Sequence, residues 1–393
     1  MPKVTTLAAI NLLSITFLSN IISVIGCILG ISLYANLLCY VFSIPIILAI
    51  IITKYNRIII HSRIIILLCF IFVFLASITY SVSKYASLIK FSNIIYSVLA
   101  PILITILTLS FFSLEERIII LSKYIKIGYN IACLVIIVLG LLFIAKFTDN
   151  NGSRLYVRGL NNPIWAARYA GFLMLFIFYS FIWKRRNYKC LNVLCILIGI
   201  FLMFKSGSRA PLISFAIAIL FLYWNKTTSF QKILILIVFA CIGIVFMTFS
   251  ARVQSGGDSA SNIQRMILIS QAFAAKFDLW KGNGIGSYNF VATGVDELYY
   301  PHNLFIETIL ETGLIGLIIL LLSLKIVFPQ KSHFLLICFI YFFINSMFSG
   351  DISGNNYLFT FIAICIFYRN NSRINNSNNI LIHSGSEHKS YCI

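Results

Sequence analysis

The chain has 393 residues, of which 60% are hydrophobic and 10% charged, with a mean hydropathy of +0.96. A soluble domain carries about 25% charged residues, so a water-soluble globular protein is excluded. The formal charge of +19 does not point to nucleic acid, because the basic residues sit between long apolar runs, as membrane topology requires.

A spanning helix needs about 20 mostly apolar residues. The pattern predicts an all-α polytopic membrane protein, one integral membrane domain over residues 1–393, with about twelve transmembrane helices. The first six are Leu7–Leu29, Ile31–Ile52, Ile64–Val82, Asn93–Phe112, Ile127–Phe147 and Tyr169–Trp183. Cys190–Phe204, Ala210–Trp224, Ile233–Ser250, Gly313–Phe328, Phe334–Ser349 and Tyr357–Tyr368 follow. The first has a basic start but no small-residue cleavage site, so it reads as a helix rather than a signal peptide. Lys184, Arg185, Arg186 and Lys189 form the densest basic cluster, which places that loop in the cytoplasm. Alternating from there puts Lys54, Arg63, Arg117, Lys123 and both termini inside, with 369–393 as a cytoplasmic tail. Residues 251–312 become one large outer loop. None of the ten cysteines falls in an outer loop, where an oxidising compartment would pair them.

The outer side should be poor in arginine, yet it holds Arg154, Arg158 and Arg168 in one loop, Arg209 in a short turn, and Arg252 and Arg265 in the long loop. Arginine near the bilayer costs up to about 3 kcal/mol. Two readings fit the charge alone: an anionic ligand whose oxygens match the guanidinium fork, or lipid headgroup contact by snorkelling. The pattern predicts no carboxylate within a span, with Glu307 and Glu311 on the outer side. That counts against a proton-coupled transporter.

Three outer segments carry the signal. In Lys205-Ser206-Gly207-Ser208-Arg209-Ala210-Pro211 a tight turn leads to a helix start, whose free N–H groups share a surface with Arg209. In Asn262-Ile263-Gln264-Arg265-Met266 an interfacial helix opens, with Met266, Ile269, Ala272 and Phe273 on an apolar face. The glycine-rich Gly282–Gly286 after it reads as a turn, because no βαβ context surrounds it. In the third segment His302 stands at a helix start after Pro301, and Asn303, Glu307 and Glu311 share one helix face.

The stretch His302-Asn303-x3-Glu307-x3-Glu311-x-Gly313-x2-Gly316, with Ser206–Ala210, Arg265 and the twelve-span plan, resembles the O-antigen polymerase and O-antigen ligase family. The resemblance implies a fold like the C-type membrane glycosyltransferases, in a bacterial inner membrane, with the active site facing the periplasm. It implies transfer of a glycan from an undecaprenyl-pyrophosphate donor to an acceptor glycan, without metal or other cofactor. Arg209 and Arg265 then resemble the donor-phosphate arginines and His302 the catalytic base. Arg154 or Arg158 matches a further family arginine, and Asn303 and Glu307 join the substrate-binding set. Membrane lipid and a chain-length regulator are the implied further partners.

The residues suit that chemistry independently. A positioned histidine can take the proton of an attacking hydroxyl, typically worth ~10²–10⁴-fold, while fixed arginines stabilise the departing diphosphate. No outer Asp-x-Asp sequence is present, which disfavours a divalent-metal mechanism, and one base on the attacking side predicts inversion. Tyr300–Asn303 and Ser349–Ile352 favour a polymerase, joining repeat units on the lipid carrier, over a ligase acting on lipid A–core. A lipid-linked oligosaccharide flippase is the rival from another class.

Overall fold

With no water in a bilayer to satisfy backbone polar groups, an apolar chain must satisfy them within each segment, and helices do so. The computed structural model describes residues 2–18, 20–22, 35–54, 58–59, 61–144, 163–183, 189–224, 263, 266–267, 269–271, 273–274, 277–328, 332–348 and 350–368. Among these, every regular element is helical. In chain order they are α1 (Pro2–Leu13), α2 (Ala35–Lys54), α3 (Arg63–Ala76), α4 (Tyr85–Ile94), α5 (Ala100–Leu109) and α6 (Leu114–Ile144). Then come α7 (Pro163–Trp183), α8 (Lys189–Lys205), α9 (Arg209–Trp224), the short α10 (Tyr288–Thr293), α11 (Leu304–Lys325), α12 (His333–Phe348) and α13 (Asn356–Phe367).

Six described helices are long and apolar enough to cross a membrane: Asn36–Lys54, Arg63–Tyr80, Tyr85–Leu109, Leu114–Leu142, Ile164–Phe181 and Leu304–Lys325. Shorter apolar helices cover Lys3–Leu18, Arg209–Leu222, His333–Phe348 and Ser353–Phe367. The chain is thus an α-helical polytopic membrane protein. The expected span Ile233–Ser250, the tail 369–393 and much of the loop from 251 to 276 lie outside the described residues.

Several helices start earlier than the sequence pattern predicts: α6 begins at Leu114 rather than Ile127 and takes in Arg117, Lys123 and Lys126, and α7 begins at Pro163 rather than Tyr169, so Arg168 is helical rather than in a loop. The span expected at Asn93–Phe112 begins at Tyr85 and takes in Lys90. The one expected at Gly313–Phe328 begins at Leu304 and takes in Glu307 and Glu311, which overturns the expectation of no carboxylate within a span. In these last two the reason is pairing. Lys90 and both glutamates are fully buried against one another, so none of the three charges ends its helix.

Helix α7 lies at the centre: 78% of its apolar window is buried, against 28% for that of α2. Phe172 and Phe176 pack, tilted or edge-on, against Phe17, Phe334, Phe342 and Phe361 around it. Phe176 meets Phe334 near the start of α12, while Tyr341 near its end donates to the Arg168 carbonyl at 2.7 Å, so α7 and α12 are antiparallel. Helix α8 runs against α7 in the same sense, with Gly199 packed on Met174. The turn from Lys205 to Arg209 therefore returns to the end of the bundle where α7 starts and α12 finishes.

Helix α11 is broken at Gly313, whose φ of 63° and ψ of −162° are non-helical. The break frees backbone groups in the interior, and the segment 279–284 satisfies them. Asn283 N and Gly284 N donate to the carbonyls of Leu310 and Glu311, both at 2.9 Å. In return Leu314 N donates to Leu279 O at 2.9 Å and Ile315 N to Trp280 O at 3.3 Å. The approach is close enough that a Cβ on Gly282 would lie 2.4 Å from the Glu311 carbonyl carbon, and one on Gly313 2.2 Å from Trp280 O. The glycine-rich turn is thus a backbone wedge in the broken helix.

Gly282 and Gly294 share a positive φ, 70° and 78°, but a Cβ on Gly294 meets nothing within 4 Å. Gly294→Ala should therefore cost only the left-handed backbone penalty, about 1 kcal/mol. Gly282→Ala adds a backbone collision and should cost roughly 3 kcal/mol or more. Thermal unfolding of the two variants in detergent checks the difference; equal losses would contradict the wedge.

Candidate functional site

The His302 segment is built by a helix cap. Asn303 takes an extended backbone, and its side-chain oxygen accepts from Phe305 N at 3.0 Å and Ile306 N at 3.1 Å, satisfying orphan donors of α11. Its amide nitrogen donates to Met347 O at 3.2 Å, tying the start of α11 to the end of α12. His302 just before it has a φ of 58°, the sole positive value outside glycine among the described residues. Such a conformation costs of order 1–3 kcal/mol and persists only where its surroundings impose it. The imidazole is half-buried, with the Tyr300 ring edge-on at 4.6 Å and the Tyr299 ring at 6.0 Å.

Behind this segment lies the charged cluster. Lys90 Nζ donates to Glu307 Oε1, and to Glu311 Oε1 and Oε2 at 2.7 and 2.8 Å, with all three side chains fully buried. Glu307 Oε1 also accepts from Ile352 N at 3.2 Å. Asp351, itself buried, accepts from Gly354 N at 2.8 Å and from the Ser353 hydroxyl. Removing one partner from a buried ion pair typically costs ~3–5 kcal/mol, because the charge left behind is uncompensated.

Arg168 closes the same region from the start of α7. Its guanidinium donates to Asn345 O at 2.9 Å and to Asn355 Oδ1 at 3.3 Å, and it stacks over Trp165 at 5.0 Å. A small cavity beside it is lined by Trp165, Arg168, Tyr169, Phe342, Asn355 and Tyr357. Burial raises the Tyr300 phenol above its ordinary pKa; Asp351 adds to the shift and Arg168 opposes it. Tyr300 therefore remains a neutral hydroxyl beside His302.

Arg209 is half-buried and opens α9, at the same end of the bundle as Arg168, Asn303 and Met347. Its turn is held by Ser206, whose hydroxyl donates to Met203 O at 2.6 Å and accepts from Ser208 N at 3.2 Å. The structure thus gathers His302, Asn303 and Glu307 in one cluster and sets Arg209 at the same bundle end. Arg154, Arg158 and Arg265 lie outside the described residues. Sequence reasoning passed over Lys90 altogether. The signal that could have found it is one lysine in a run otherwise fit to span, and an unpaired charge does not persist there.

With that geometry in place, the chain is a helical membrane protein in which Arg168, Arg209, His302 and Asn303 share one bundle end. A family model described as O-antigen ligase matches residues 193–321, about a third of the chain. The match bears out the family resemblance carried by the sequence motifs, and its span includes Arg209, Arg265, His302, Glu307 and Glu311. No curated protein and no solved structure matches the chain.

Asp296 fastens the segment before His302 to the start of α4. Its carboxylate accepts from Lys84, Tyr85 and Ala86 N–H at 3.1, 3.0 and 3.0 Å and from the Ser83 hydroxyl. These donors, the hydroxyl first, lower its pKa from 3.8 to about 2. A depressed carboxylate pKa contributes stability that is present above the unfolded value and is lost as pH falls through the folded one. The unfolding temperature should therefore drop between about pH 4 and pH 2 by more in the wild type than in Asp296→Asn. Parallel pH curves for the two proteins would show that this cap contributes nothing.

Proposed function

We propose that the protein is an O-antigen polymerase, transferring undecaprenyl-pyrophosphate-linked repeat units to an acceptor sugar hydroxyl at the periplasmic face of the inner membrane. The observation that carries this reading is His302 itself. An imidazole is held in a costly left-handed conformation inside the matched family segment, at the bundle end that also bears Arg209. Strain of that kind is found where function demands a particular side-chain direction.

In the proposed reaction His302 accepts the proton of the acceptor hydroxyl as it attacks the anomeric carbon. The anomeric C–O bond to the diphosphate breaks on the opposite face, giving inversion. Arg209, at the positive end of α9, and Arg265 stabilise the charge growing on the leaving diphosphate, with Arg154 or Arg158 as a further contact. Asn303 and Glu307 shape the acceptor side, Asn303 by fixing the helix start and Glu307 from one turn deeper. The transfer needs no metal in this scheme, because the diphosphate is already a good leaving group.

A ligase moving the finished glycan to lipid A–core would use the same donor site, so it is the second reading. Tyr300–Asn303 and Ser349–Ile352 favour the polymerase.

His302→Ala should abolish chain extension, a loss of at least ~10²-fold for a missing general base, while the protein still inserts. Polysaccharide ladders on gels report the result, and unchanged ladders would sink the assignment. Deleting the gene separates the two readings: a single repeat unit on the core marks a polymerase. Complete loss of attached glycan, with long chains left on the lipid carrier, marks a ligase.

A further inference from the structure

We propose that Lys90, on α4 and outside the matched family segment, is a positioning residue that holds His302 in its working orientation; this rests on the reading of His302 as the base. His302 precedes the first turn of α11, so its backbone follows that helix start. Three anchors fix the start. The Asn303 cap satisfies its N–H groups, the Asn303 amide reaches Met347 O at 3.2 Å, and Lys90 grips Glu307 one turn in and Glu311 a turn deeper. The first is local and the second reaches α12. Lys90 alone among them fixes it against α4, more than 200 residues away in sequence.

The same ammonium also ties in the 350–355 segment. Glu307 Oε1 receives both Lys90 Nζ and Ile352 N, so the 350–355 segment, with Asp351, is tied to the His302 helix through one carboxylate. Without the ammonium two buried carboxylates would face each other, and one or both would turn away. The helix start and the Ile352 amide would lose their common anchor, and the left-handed backbone at residue 302 could relax. Lys90 is fully buried and both its carboxylate partners are protein groups, so it acts through His302 rather than on substrate.

The test uses the full-length protein in lipid nanodiscs, with the undecaprenyl-diphosphate-linked repeat unit isolated from the same cells as substrate. Lys90→Met should lower kcat at least 100-fold and leave the donor KM within about threefold. The exchange variant Lys90→Glu/Glu311→Lys keeps one ammonium and two carboxylates in the same chamber, leaves Glu307 to accept from Ile352 N, and should recover at least tenfold of the lost kcat. Wild-type kcat in Lys90→Met, a change confined to KM, or a folded but equally inactive exchange variant would each overturn the proposal. So would failure of both variants to insert, since Lys90 would then support the fold as a whole.

Two controls separate this proposal from the functional reading. If His302→Ala keeps the wild-type rate, the base assignment fails whatever Lys90 does. Carbethoxylation of His302 by diethyl pyrocarbonate, followed by peptide mass, needs no turnover. Its rate should change severalfold in Lys90→Met and return towards the wild-type value in the exchange variant; an unchanged rate in Lys90→Met means that the imidazole has not moved.

Discussion

One ammonium group between two carboxylates, sealed inside an apolar protein, holds the arrangement together. Charges of one sign cannot be left alone in such an interior, where desolvation of each ion costs several kcal/mol. Lys90 therefore commits α4 to α11, and through the shared Glu307 oxygen it also commits the Ile352 segment. The requirement is geometric as well as electrostatic, because a buried pair is tolerated only when its remaining hydrogen-bonding capacity is met. Gly313, Gly282 and the Asn303 cap then have one common task, which is to deliver the start of α11 to the lysine with its backbone satisfied.

The broken helix follows the same logic. A continuous α11 would satisfy its own carbonyls and leave nothing for the 279–284 segment to grip. Breaking it at Gly313 exposes donors and acceptors that only another backbone can meet at such close range, and 279–284 meets them. Asp296 completes the attachment by capping α4. The segment from 279 to 296 is therefore fixed to both helices that carry the lysine and its two glutamates.

Much of this was legible in the sequence and some was not, for identifiable reasons. The apolar runs announce the helical membrane class, since length and hydropathy are local properties. The His302–Gly316 spacing marks the right segment, and the Asn303 cap follows from local chemistry. The sequence pattern ends a helix where a charge falls: Lys90, Glu307 and Glu311 each look like a boundary, and only their pairing across 217 and 221 residues lets the helices run through them. The glycines 282, 284 and 286 read as a turn, which they are. Their insertion into a distant helix rests on a tertiary contact that no local pattern encodes. Arg168 stood out as an outer arginine by charge. Its partners, the Asn345 carbonyl and the Asn355 side chain, lie 177 and 187 residues further along the chain.

The union between 279–284 and α11 is made almost wholly by main-chain groups, and main-chain pairing is indifferent to side-chain identity. Leu279, Trp280 and Lys281 therefore project from a fixed scaffold with little say in how it is fixed; Trp280 is 65% exposed. Substitutions at these three positions leave the main-chain pairing in place, while Gly282 and Gly313 have no room for a side chain, so neighbouring positions in one short segment answer to opposite constraints.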